Sequence, residues 1–320
     1  MKKNKKILTN LLRFFFYKKI NSFLKKNNYL IIYRHGKAIG DHICLTGVIS
    51  KIYENNLKII IFSNYIEFFL NNPKVYKSFN LNKPLNKIIF LKILQIFEGE
   101  RIKSYRSKIN NTSDEFFVKF LPKDTHFGLA HAHHFDLKMN KDDFKNEIYF
   151  SKEEIDHYEK KFNLPKNFAV IHSEAKQSLT SNKNWGHNRI QDVVNSINSV
   201  KWIQLGVKGE YEIKNTYRKI FNTNFRELGF ILSKCEFLVS MEGMFNHYAS
   251  VFKKKNFLIH LGFMNEEQIY YPNNVLIHKN PSLKCYPCFL FKCSKHFELC
   301  ENELTSEYVI KIIKNELKKD

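Results

Sequence analysis

The apolar positions of the chain alternate between short β-rich runs and longer stretches with helical spacing. Tyr29–Tyr33 is predicted to be a buried strand, Asp41–Asn55 a helix and Lys58–Ser63 a second strand, which together make a βαβ unit. The alternation resumes in the second half of the chain and predicts a further series of elements there. These are the helix Lys152–Phe162, the strand Phe168–His172, the helix Asn188–Ile197, the strand Lys201–Leu205, the helix Asn224–Leu232, the strand Cys235–Val239, the helix Gly243–Phe252 and the strand Phe257–Leu261. Strands that alternate with helices indicate parallel sheets, so the chain is predicted to be an α/β protein.

The length of 320 residues predicts two domains. We expect the hinge between them near Asn146–Lys152. The predicted segments are a basic N-terminal segment at 1–28, a first α/β domain at 29–148, a second at 149–305 and a C-terminal helix within 306–320. Each α/β domain is expected to be Rossmann-like and doubly wound, and the two are expected to face a cleft, with ligands at the carboxyl ends of the strands.

The first 28 residues differ from the rest of the chain, because they contain nine Lys or Arg residues and no acidic residue. Their apolar residues recur at helical spacing, which predicts a helix with an apolar stripe opposite its lysines. Such a helix is typical of a segment that lies on an anionic membrane surface. The alternative is a stripe that packs on the protein's own body.

The charge of the whole chain narrows the class of partner. Lys and Arg number 52 against 31 Asp and Glu, which gives a net charge of +21. This surplus predicts an anionic partner such as nucleic acid, a phosphorylated substrate or an acidic membrane surface. No uninterrupted apolar run of about 20 residues occurs, which excludes a polytopic membrane protein.

Four of the six cysteines fall within sixteen residues and are called the cysteine cluster below. Its members are Cys285, Cys288, Cys293 and Cys300, spaced C-x2-C-x4-C-x6-C. Four thiols at such spacing can surround one tetrahedral zinc ion, and a reducing cytoplasm favours metal over disulfides. Disulfides and free thiols are the alternatives, and any metal here would be structural.

The loop between the first strand and the first helix carries the first candidate for chemistry. Asp41 opens the helix after the sequence Arg34-His35-Gly36-Lys37-Ala38-Ile39-Gly40. A carboxylate in the first turn of a helix can simply stabilise that terminus. The same position suits a general base that takes a proton from a sugar hydroxyl. Arg34 and Lys37, in the same loop, are candidate acceptor contacts.

Three strand ends in the second half can contact a phosphorylated ligand. The loop after His172 contains Ser173 and Lys183, and lysine serves phosphate as a mobile point charge. Another strand ends at Gly206 and is followed by Glu210, which can accept hydrogen bonds from sugar hydroxyls. A solvated loop is the alternative for the loop with Ser173 and Lys183.

The third strand end is followed by a helix whose N-terminus can approach a diphosphate. Its residues are Glu242, Gly243, Met244 and His247, and glycine at such a terminus lets backbone N–H groups come close to phosphate oxygens. In the first half, His131 and His133 could meet an acidic acceptor, although solvated surface histidines are the alternative.

The order of these motifs resembles glycosyltransferase family 9, the heptosyltransferases. The motifs are Ala38-Ile39-Gly40-Asp41, Lys183-Asn184-Trp185, Leu205-Gly206 with Glu210, Glu242-Gly243 with His247 and Ala249, and the late cysteine cluster. The resemblance spans roughly residues 29–318 and implies a GT-B fold. It implies that Asp41 is the catalytic base, Lys183 the phosphate-binding lysine and Glu210 a donor contact. The family usually has Asp where Glu242 stands and a small residue near Met244.

This resemblance implies an inverting glycosyltransferase that needs no metal for catalysis. It would move a heptose or related sugar from an ADP- or GDP-linked donor to a lipopolysaccharide core, capsule or similar envelope glycan. We expect such an enzyme to be cytoplasmic and peripheral on the inner face of the inner membrane, with no nucleic-acid partner. The alternatives are a zinc-bearing nucleic-acid-binding protein and a family member that only binds glycan.

Overall fold

The computed structural model describes residues 16, 18–34, 36, 38–88, 101–105, 125–135, 137–174, 180–279, 283–290, 293 and 299–319. These residues form two compact units. The first runs from the N-terminal helix to the fourth strand and resumes at Gly128–Phe150. The second begins at Ser151 and includes residues 125–127. The domain boundaries derived from the sequence stay a prediction.

The first unit contains a parallel sheet. Its strands are β1 (Tyr29–Arg34), β2 (Lys58–Ser63), β3 (Val75–Asn80) and β4 (Ile102–Tyr105), in the order β3-β2-β1-β4. The helices of this part of the chain are α1 (Ile39–Tyr53), α2 (Pro84–Ile88) and α3 (Phe127–His134). Parallel register places Tyr29 beside Lys58 and Arg34 beside Ser63, so the carboxyl ends of β1 and β2 meet at one edge of the sheet.

The second unit contains a six-stranded parallel sheet. Its strands are β5 (Phe168–His172), β6 (Lys201–Gly206), β7 (Arg218–Phe221), β8 (Phe237–Met241), β9 (Lys255–Ile259) and β10 (Asn274–Ile277). Its helices are α4 (Lys152–Phe162), α5 (His187–Ser196), α6 (Phe225–Lys234), α7 (Met244–Val251), α8 (Glu266–Ile269), α9 (Leu299–Glu303) and α10 (Ser306–Leu317). The strand order is β10-β9-β8-β5-β6-β7. This is the order of dinucleotide-binding domains, with the direction of progression reversing between β5 and β8.

The α/β prediction with two parallel sheets is confirmed. The strands Lys58–Ser63 and Phe168–His172 and the helix Lys152–Phe162 have the predicted bounds. The predicted strands Cys235–Val239 and Phe257–Leu261 are each displaced by two residues, to β8 and β9.

Capping explains where several helices begin. Ser151 and Asn224 form capping boxes at the starts of α4 and α6. Each side chain accepts a hydrogen bond from the backbone N–H of the Glu three residues further on, and the carboxylate of that Glu accepts from the backbone N–H of the capping residue. The final helix α10 buries Val309 and Ile313 in the same core cluster as Ile190 of α5. The C-terminal helix is therefore part of the core of the second unit.

The N-terminal helix is described at residue 16 and over 18–26. Leu24 is buried, and Ile20 packs against the cluster that includes Leu24, Ile31 and Tyr33. One side of the helix thus packs on the first unit, as in the alternative to membrane contact, while other apolar residues stay exposed. Over the part of the chain that the structure describes, no helix is both long and apolar enough to cross a membrane.

Candidate active site

Arg34 and Asp41 form a buried ion pair in the first unit. Arg34 is the last residue of β1, and Asp41 lies in the first turn of α1. The guanidinium Nη2 of Arg34 donates to Asp41 Oδ2, and the side chains are 6% and 13% exposed. Arg34, predicted as an acceptor contact, therefore contacts the candidate base itself. The ion pair fixes the orientation of the Asp41 carboxylate relative to the end of β1.

The loop between these two residues is shaped by glycine. Gly36 has φ +130°, a conformation that L side chains rarely adopt, and a Cβ there would lie 3.3 Å from Arg34 Nη1. Its N–H donates to Asn64 Oδ1 at 3.2 Å, which ties the loop to the end of β2. Lys37, the other predicted acceptor contact of this loop, lies outside the described residues.

The two predicted acceptor histidines lie on α3. His131 is fully buried. The alternative of a solvated surface histidine is therefore wrong for this residue, and its burial does not support contact with an acceptor at the surface. The side chain of His133 lies outside what the structure describes. Their roles as acceptor contacts stay predictions.

Lys183, Glu242 and His260 form a buried charged group in the second unit. Lys183 Nζ lies 2.5 Å from Glu242 Oε1, and His260 Nδ1 lies 3.5 Å from Glu242 Oε2. Lys183 closes the 3-10 turn after β5, Glu242 follows β8 and His260 follows β9. Three chain segments therefore converge on one carboxylate. Sequence reasoning selected Lys183 and Glu242 but missed His260, whose sequence signal is its place directly after an apolar strand.

The charge of this group is fixed by its surroundings. Burial acts to raise the pKa of Glu242, but the positive charge of Lys183 and the contact with His260 outweigh it and lower the pKa to about 2. Glu242 is therefore ionised at neutral pH. The side chains of Lys183 and Glu242 are 15% and 6% exposed, and at such burial each charge compensates the other.

The turn that carries Lys183 is held by the chain between the second and third thiols of the cysteine cluster. Asn182 Nδ2 donates to the carbonyl oxygen of Leu290 at 2.7 Å. The ring centroid of Phe263 lies 4.4 Å from Lys183 Nζ, a cation–π contact. The N–H of Phe289 donates to the carbonyl of Phe263 at 3.0 Å. The same short segment thus positions both the turn and the ring that contact the lysine.

Helix α7 begins beside this group. Gly243, at the N-cap, has φ +155° and no described residue caps the helix with a side chain. A Cβ at Gly243 would meet no described atom within 4 Å. Among the described residues, the space beside Gly243 is therefore open at a helix N-terminus, next to the Glu242–Lys183 pair, where an anion is favoured. Met244 is the first residue of the helix and is half-buried.

His247 lies one turn into α7. Its Nδ1 is 2.7 Å from the hydroxyl of Tyr271. Burial and the nearby charge of Lys183 lower the pKa of His247 to about 4. The imidazole is therefore neutral at pH 7 and can exchange hydrogen bonds with a ligand without adding charge.

Glu210 folds back against the end of β6. A Cβ at Gly206 would come within 2.0 Å of Glu210 Oε2, so glycine is required for this arrangement. Burial raises the pKa of Glu210, and the charge of Glu174 adds to the effect. Glu210 Oε2 is buried and has no hydrogen-bond partner among the described residues.

Ser173, the other predicted donor contact, is engaged within the protein. It is fully buried, and its Oγ accepts from Gln204 Nε2 at 3.1 Å and donates to the carbonyl of Tyr211 at 3.3 Å. The next residue, Glu174, accepts from the N–H of Tyr211 at 3.0 Å. Glu174 was missed from the sequence, although it also follows the end of β5. A donor contact of Ser173 stays a prediction.

The geometry of the cysteine cluster bears on its three alternatives, which are a bound metal, disulfides and free thiols. Cys285, Cys288 and Cys300 carry free, half-buried thiols, so no disulfide joins these three. Burial raises the pKa of Cys300 to about 11, and the other cluster thiols add to this. Among the described residues, no three His, Cys, Asp or Glu side chains are arranged to hold a metal ion. The structural zinc stays a prediction.

The donor-side candidates share one place in the fold. Lys183 follows β5, Glu242 and Gly243 follow β8, and β5 and β8 are the two strands between which the strand order reverses. In open α/β sheets ligands bind at the carboxyl ends of the strands at this switch point. Fold and site together define a two-unit α/β protein whose second unit has a nucleotide-binding type of sheet with a cationic group at its switch point.

Several solved structures with a similar fold are glycosyltransferases. E. coli ADP-heptose lipopolysaccharide heptosyltransferase II aligns with a TM-score of 0.64 at 12% identity, over 91% of this chain and 99% of that one. A family 9 glycosyl transferase from Veillonella parvula aligns with a TM-score of 0.63 at 11% identity, over 92% and 98%. The dodecameric iron-containing heptosyltransferase TibC from enterotoxigenic E. coli, in complex with ADP-D-beta-D-heptose, aligns with a TM-score of 0.62 at 12% identity, over 91% and 76%.

No family model matches the chain, and no curated protein sequence matches it. At identities of 11–12%, these structural alignments show a shared fold and do not show a shared activity. The chain has the GT-B-like fold of the family 9 heptosyltransferases, and the resemblance drawn from its sequence motifs is confirmed at the level of fold.

Proposed function

We propose that the protein is an inverting glycosyltransferase that moves a heptose or related sugar from a nucleotide-diphospho-sugar to a cell-envelope glycan. The observation that carries the proposal is the convergence of Lys183, Glu242 and the open N-terminus of α7 at the switch point of the second sheet. The similarity in fold to heptosyltransferases supports heptose as the sugar and ADP as the nucleotide, and a GDP-linked donor is the other nucleotide that we propose to test.

The donor diphosphate would lie between Lys183 and the first turn of α7. Lys183 supplies a positive charge held by Asn182, Phe263 and Glu242. The α7 N-terminus supplies backbone donors and the positive end of its dipole. When the sugar–diphosphate bond breaks, its electron pair passes to the leaving diphosphate. Positive groups already fixed at that place stabilise the developing charge, which is usually the largest electrostatic contribution to such a reaction.

Glu210 would contact the nucleoside side of the donor. Glu210 follows the carboxyl end of β6, and we propose that its carboxylate accepts from a ribose or sugar hydroxyl when the donor binds. Such a contact would recognise hydroxyl groups of the donor, while Lys183 would bind its diphosphate.

Asp41 would act as the general base. Its carboxylate takes the proton of the acceptor hydroxyl while that oxygen attacks the anomeric carbon. Arg34 contacts the same carboxylate, so we assign it the positioning of Asp41. We propose that no metal ion takes part in this step, which predicts turnover that is insensitive to chelators. A structural zinc in the cysteine cluster would instead stabilise the segment whose Leu290 carbonyl accepts the hydrogen bond from Asn182.

The acceptor would be a lipopolysaccharide core, a capsule glycan or a similar glycolipid. An enzyme that uses such an acceptor works where the acceptor is assembled, and we propose the inner face of the inner membrane. The basic N-terminal segment and the net charge of +21 support an anionic surface as a partner.

The test is a panel of ADP- and GDP-linked sugars with soluble glycan acceptors, comparing the wild-type chain with Asp41→Asn. We expect donor-dependent release of nucleoside diphosphate, lowered about 10²–10⁴-fold by Asp41→Asn, since that is the usual contribution of a general base. Calorimetric titration should find the affinity for nucleoside diphosphate unchanged in the variant.

Four outcomes would contradict the proposal in different ways. Near-normal turnover of Asp41→Asn rejects the base assignment. Glycan binding without any turnover identifies a non-catalytic family member. Absence of nucleoside diphosphate binding in the wild-type chain rejects the donor site, and Lys183→Ala with unchanged affinity rejects the role of the lysine.

A further inference from the structure

The N-terminal helix leaves large aromatic side chains in solvent. Phe16 and Phe23 are each 59% exposed, whereas Leu24 is 4% exposed. Seven residues correspond to nearly two turns, so Phe16 and Phe23 lie about 20° apart around the helix. Leu24 lies about 100° further round, on the side that packs against the first unit. The two rings therefore form one exposed strip beside the packed face.

The aromatic strip continues onto the amino ends of the strands in the first sheet. The rings of Phe23 and Tyr29 stack with centroids 6.3 Å apart, and those of Tyr29 and Tyr76 lie 5.5 Å apart. Tyr76 is 59% exposed and lies on the edge strand β3. Lys58 Nζ lies 5.5 Å from the centroid of Tyr29 and 5.9 Å from that of Tyr76. Aromatic rings and an ammonium group thus alternate on one surface.

Lysines border the strip on its other side. Lys19 and Lys26 are exposed, and each lies three residues beyond one of the phenylalanines. This spacing places them about 60° from the strip, away from the packed face. The first 28 residues contain no acidic residue, so this segment brings no negative charge of its own. We call these residues together the aromatic–lysine surface: Phe16, Phe23, Tyr29, Tyr76, Lys19, Lys26 and Lys58.

We propose that the aromatic–lysine surface binds an anionic phospholipid bilayer. Aromatic rings and lysine side chains have both an apolar and a polar part, and they are favoured at the level of lipid headgroups. The rings gain burial among the acyl chains while the ammonium groups meet lipid phosphates. The surface is built from one helix and the ends of three strands, so it is a feature of the folded first unit and not of the N-terminal segment alone.

The position of this surface separates lipid binding from the proposed chemistry. Tyr29 begins β1 and Arg34, which contacts Asp41, ends it. Five steps along a strand span about 17 Å, so the surface lies at the opposite edge of the sheet from the candidate base. Substitutions in the surface should therefore change vesicle binding without changing turnover of a soluble acceptor. The inference rests on the proposed function in one respect: an enzyme with a glycolipid acceptor has a reason to bind a membrane.

The experiment is flotation of the full-length chain with phosphatidylcholine vesicles, with and without phosphatidylglycerol, in the absence of donor and acceptor. One variant replaces the exposed rings, Phe16→Ala with Phe23→Ala and Tyr76→Ala. A second variant, Lys19→Gln with Lys26→Gln, removes charge only. The matched control is Leu85→Ala with Lys83→Gln, because Leu85 is 67% exposed and both residues follow the carboxyl end of β3. Truncation is unsuitable, because it would remove the packed Leu24.

We expect the wild-type chain to float with anionic vesicles and to lose most of this binding at high salt. The ring variant should bind at least about tenfold less tightly, since each ring loses a buried contact. The lysine variant should bind about twenty-five-fold less tightly at low salt, at about fivefold per lysine. The control should bind as the wild type does.

Several results would overturn the inference, and none depends on transferase activity. They are failure of the wild-type chain to bind anionic vesicles, equal loss in the control, or wild-type binding by a folded lysine variant. Tighter binding of a single-stranded oligonucleotide, lost in the same variants, would assign the surface to nucleic acid. A change from dimer to monomer in the ring variant, measured by sedimentation, would assign it to a second copy of the chain.

Discussion

Replacing Glu242 with glutamine tests whether the buried charged group of the second unit is held together by its carboxylate. Glu242→Gln keeps the size of the side chain and removes the negative charge that Lys183 and His260 contact. Because the carboxylate is only 6% exposed, solvent does little to screen this interaction. We therefore expect a large loss of stability confined to the second unit.

The size of the loss follows from the pKa of the group. The surroundings lower the pKa of Glu242 from its ordinary 4.5 to about 2. At 1.36 kcal/mol per pH unit this difference corresponds to about 3 kcal/mol of stability at pH 7. A loss of about 3 kcal/mol would be among the larger effects of single substitutions, as expected when one partner of a buried ion pair is removed.

The pH dependence has a definite sign. Because the folded chain has the lower pKa, the unfolded chain binds the proton first as the pH falls. The contribution of Glu242 is therefore fully present above about pH 5 and is lost between about pH 5 and pH 2. Glu242→Gln should lack this part of the acid-induced loss, so the two proteins should approach equal stability towards low pH. Glu242→Asp, which keeps the charge, should retain most of the pH dependence.

Tryptophan fluorescence during urea unfolding is a suitable assay, because Trp185 and Trp202 are the two tryptophans of the chain and both are buried in the second unit. The signal therefore follows that unit and not the first one. The matched control is Glu212→Gln, since Glu212 is 63% exposed and pairs with Lys219 at 3.0 Å. This variant should change stability by less than about 0.5 kcal/mol. A free energy of unfolding for Glu242→Gln that matches the control at pH 7, with an unchanged acid limb, would refute the reasoning.

Three further predictions concern the turn, the nucleoside contact and the cysteine cluster. Asn182→Ala removes the hydrogen bond to Leu290, so calorimetry should find affinity for nucleoside diphosphate about fivefold lower at nearly unchanged thermal stability; unchanged affinity would mean that the turn is held in another way. Glu210→Gln should weaken binding of nucleoside diphosphate about tenfold and leave inorganic pyrophosphate unaffected, and equal losses for both would place Glu210 away from the nucleoside. Elemental analysis with thiol counting should find one equivalent of zinc bound to the cysteine cluster, whereas four reactive thiols without metal would reject the structural zinc.

The sequence predicted the central strands well and the edge strands poorly. β1, β2, β5 and β6 begin at the predicted residues, because a strand covered on both faces has a continuous apolar run. The strands that sequence analysis did not specify are β3, β4, β7 and β10, and these four lie at the edges of the two sheets. An edge strand is short and partly solvated, so residues such as those of β7, Arg218–Phe221, carry a weaker pattern.

The candidate site was predictable only where its residues lie at strand ends with recognisable neighbours. Asp41, Lys183, Glu210 and Glu242 were selected on that basis. The contacts that give these residues their properties join distant parts of the chain: Asn182 reaches a carbonyl 108 residues away. Pairing of this kind depends on the strand order, which local periodicity does not contain.

The arrangement around Lys183 bears on how the proposed donor site would be kept ready for its ligand. A largely buried ammonium group is costly unless a counter-charge accompanies it, and Glu242 supplies that charge at 2.5 Å. A bound diphosphate would add negative charge next to the carboxylate of Glu242, which repels it. The attraction of Lys183 alone is therefore not enough to favour the bound diphosphate. The N-terminus of α7, which starts one residue after Gly243 and is open in front of that glycine, supplies the additional attraction. The neutral His247 on the same helix adds hydrogen-bonding capacity without further charge. Glu242 thus compensates the charge of the buried lysine, while in the proposed site the helix N-terminus would give the diphosphate its advantage over water.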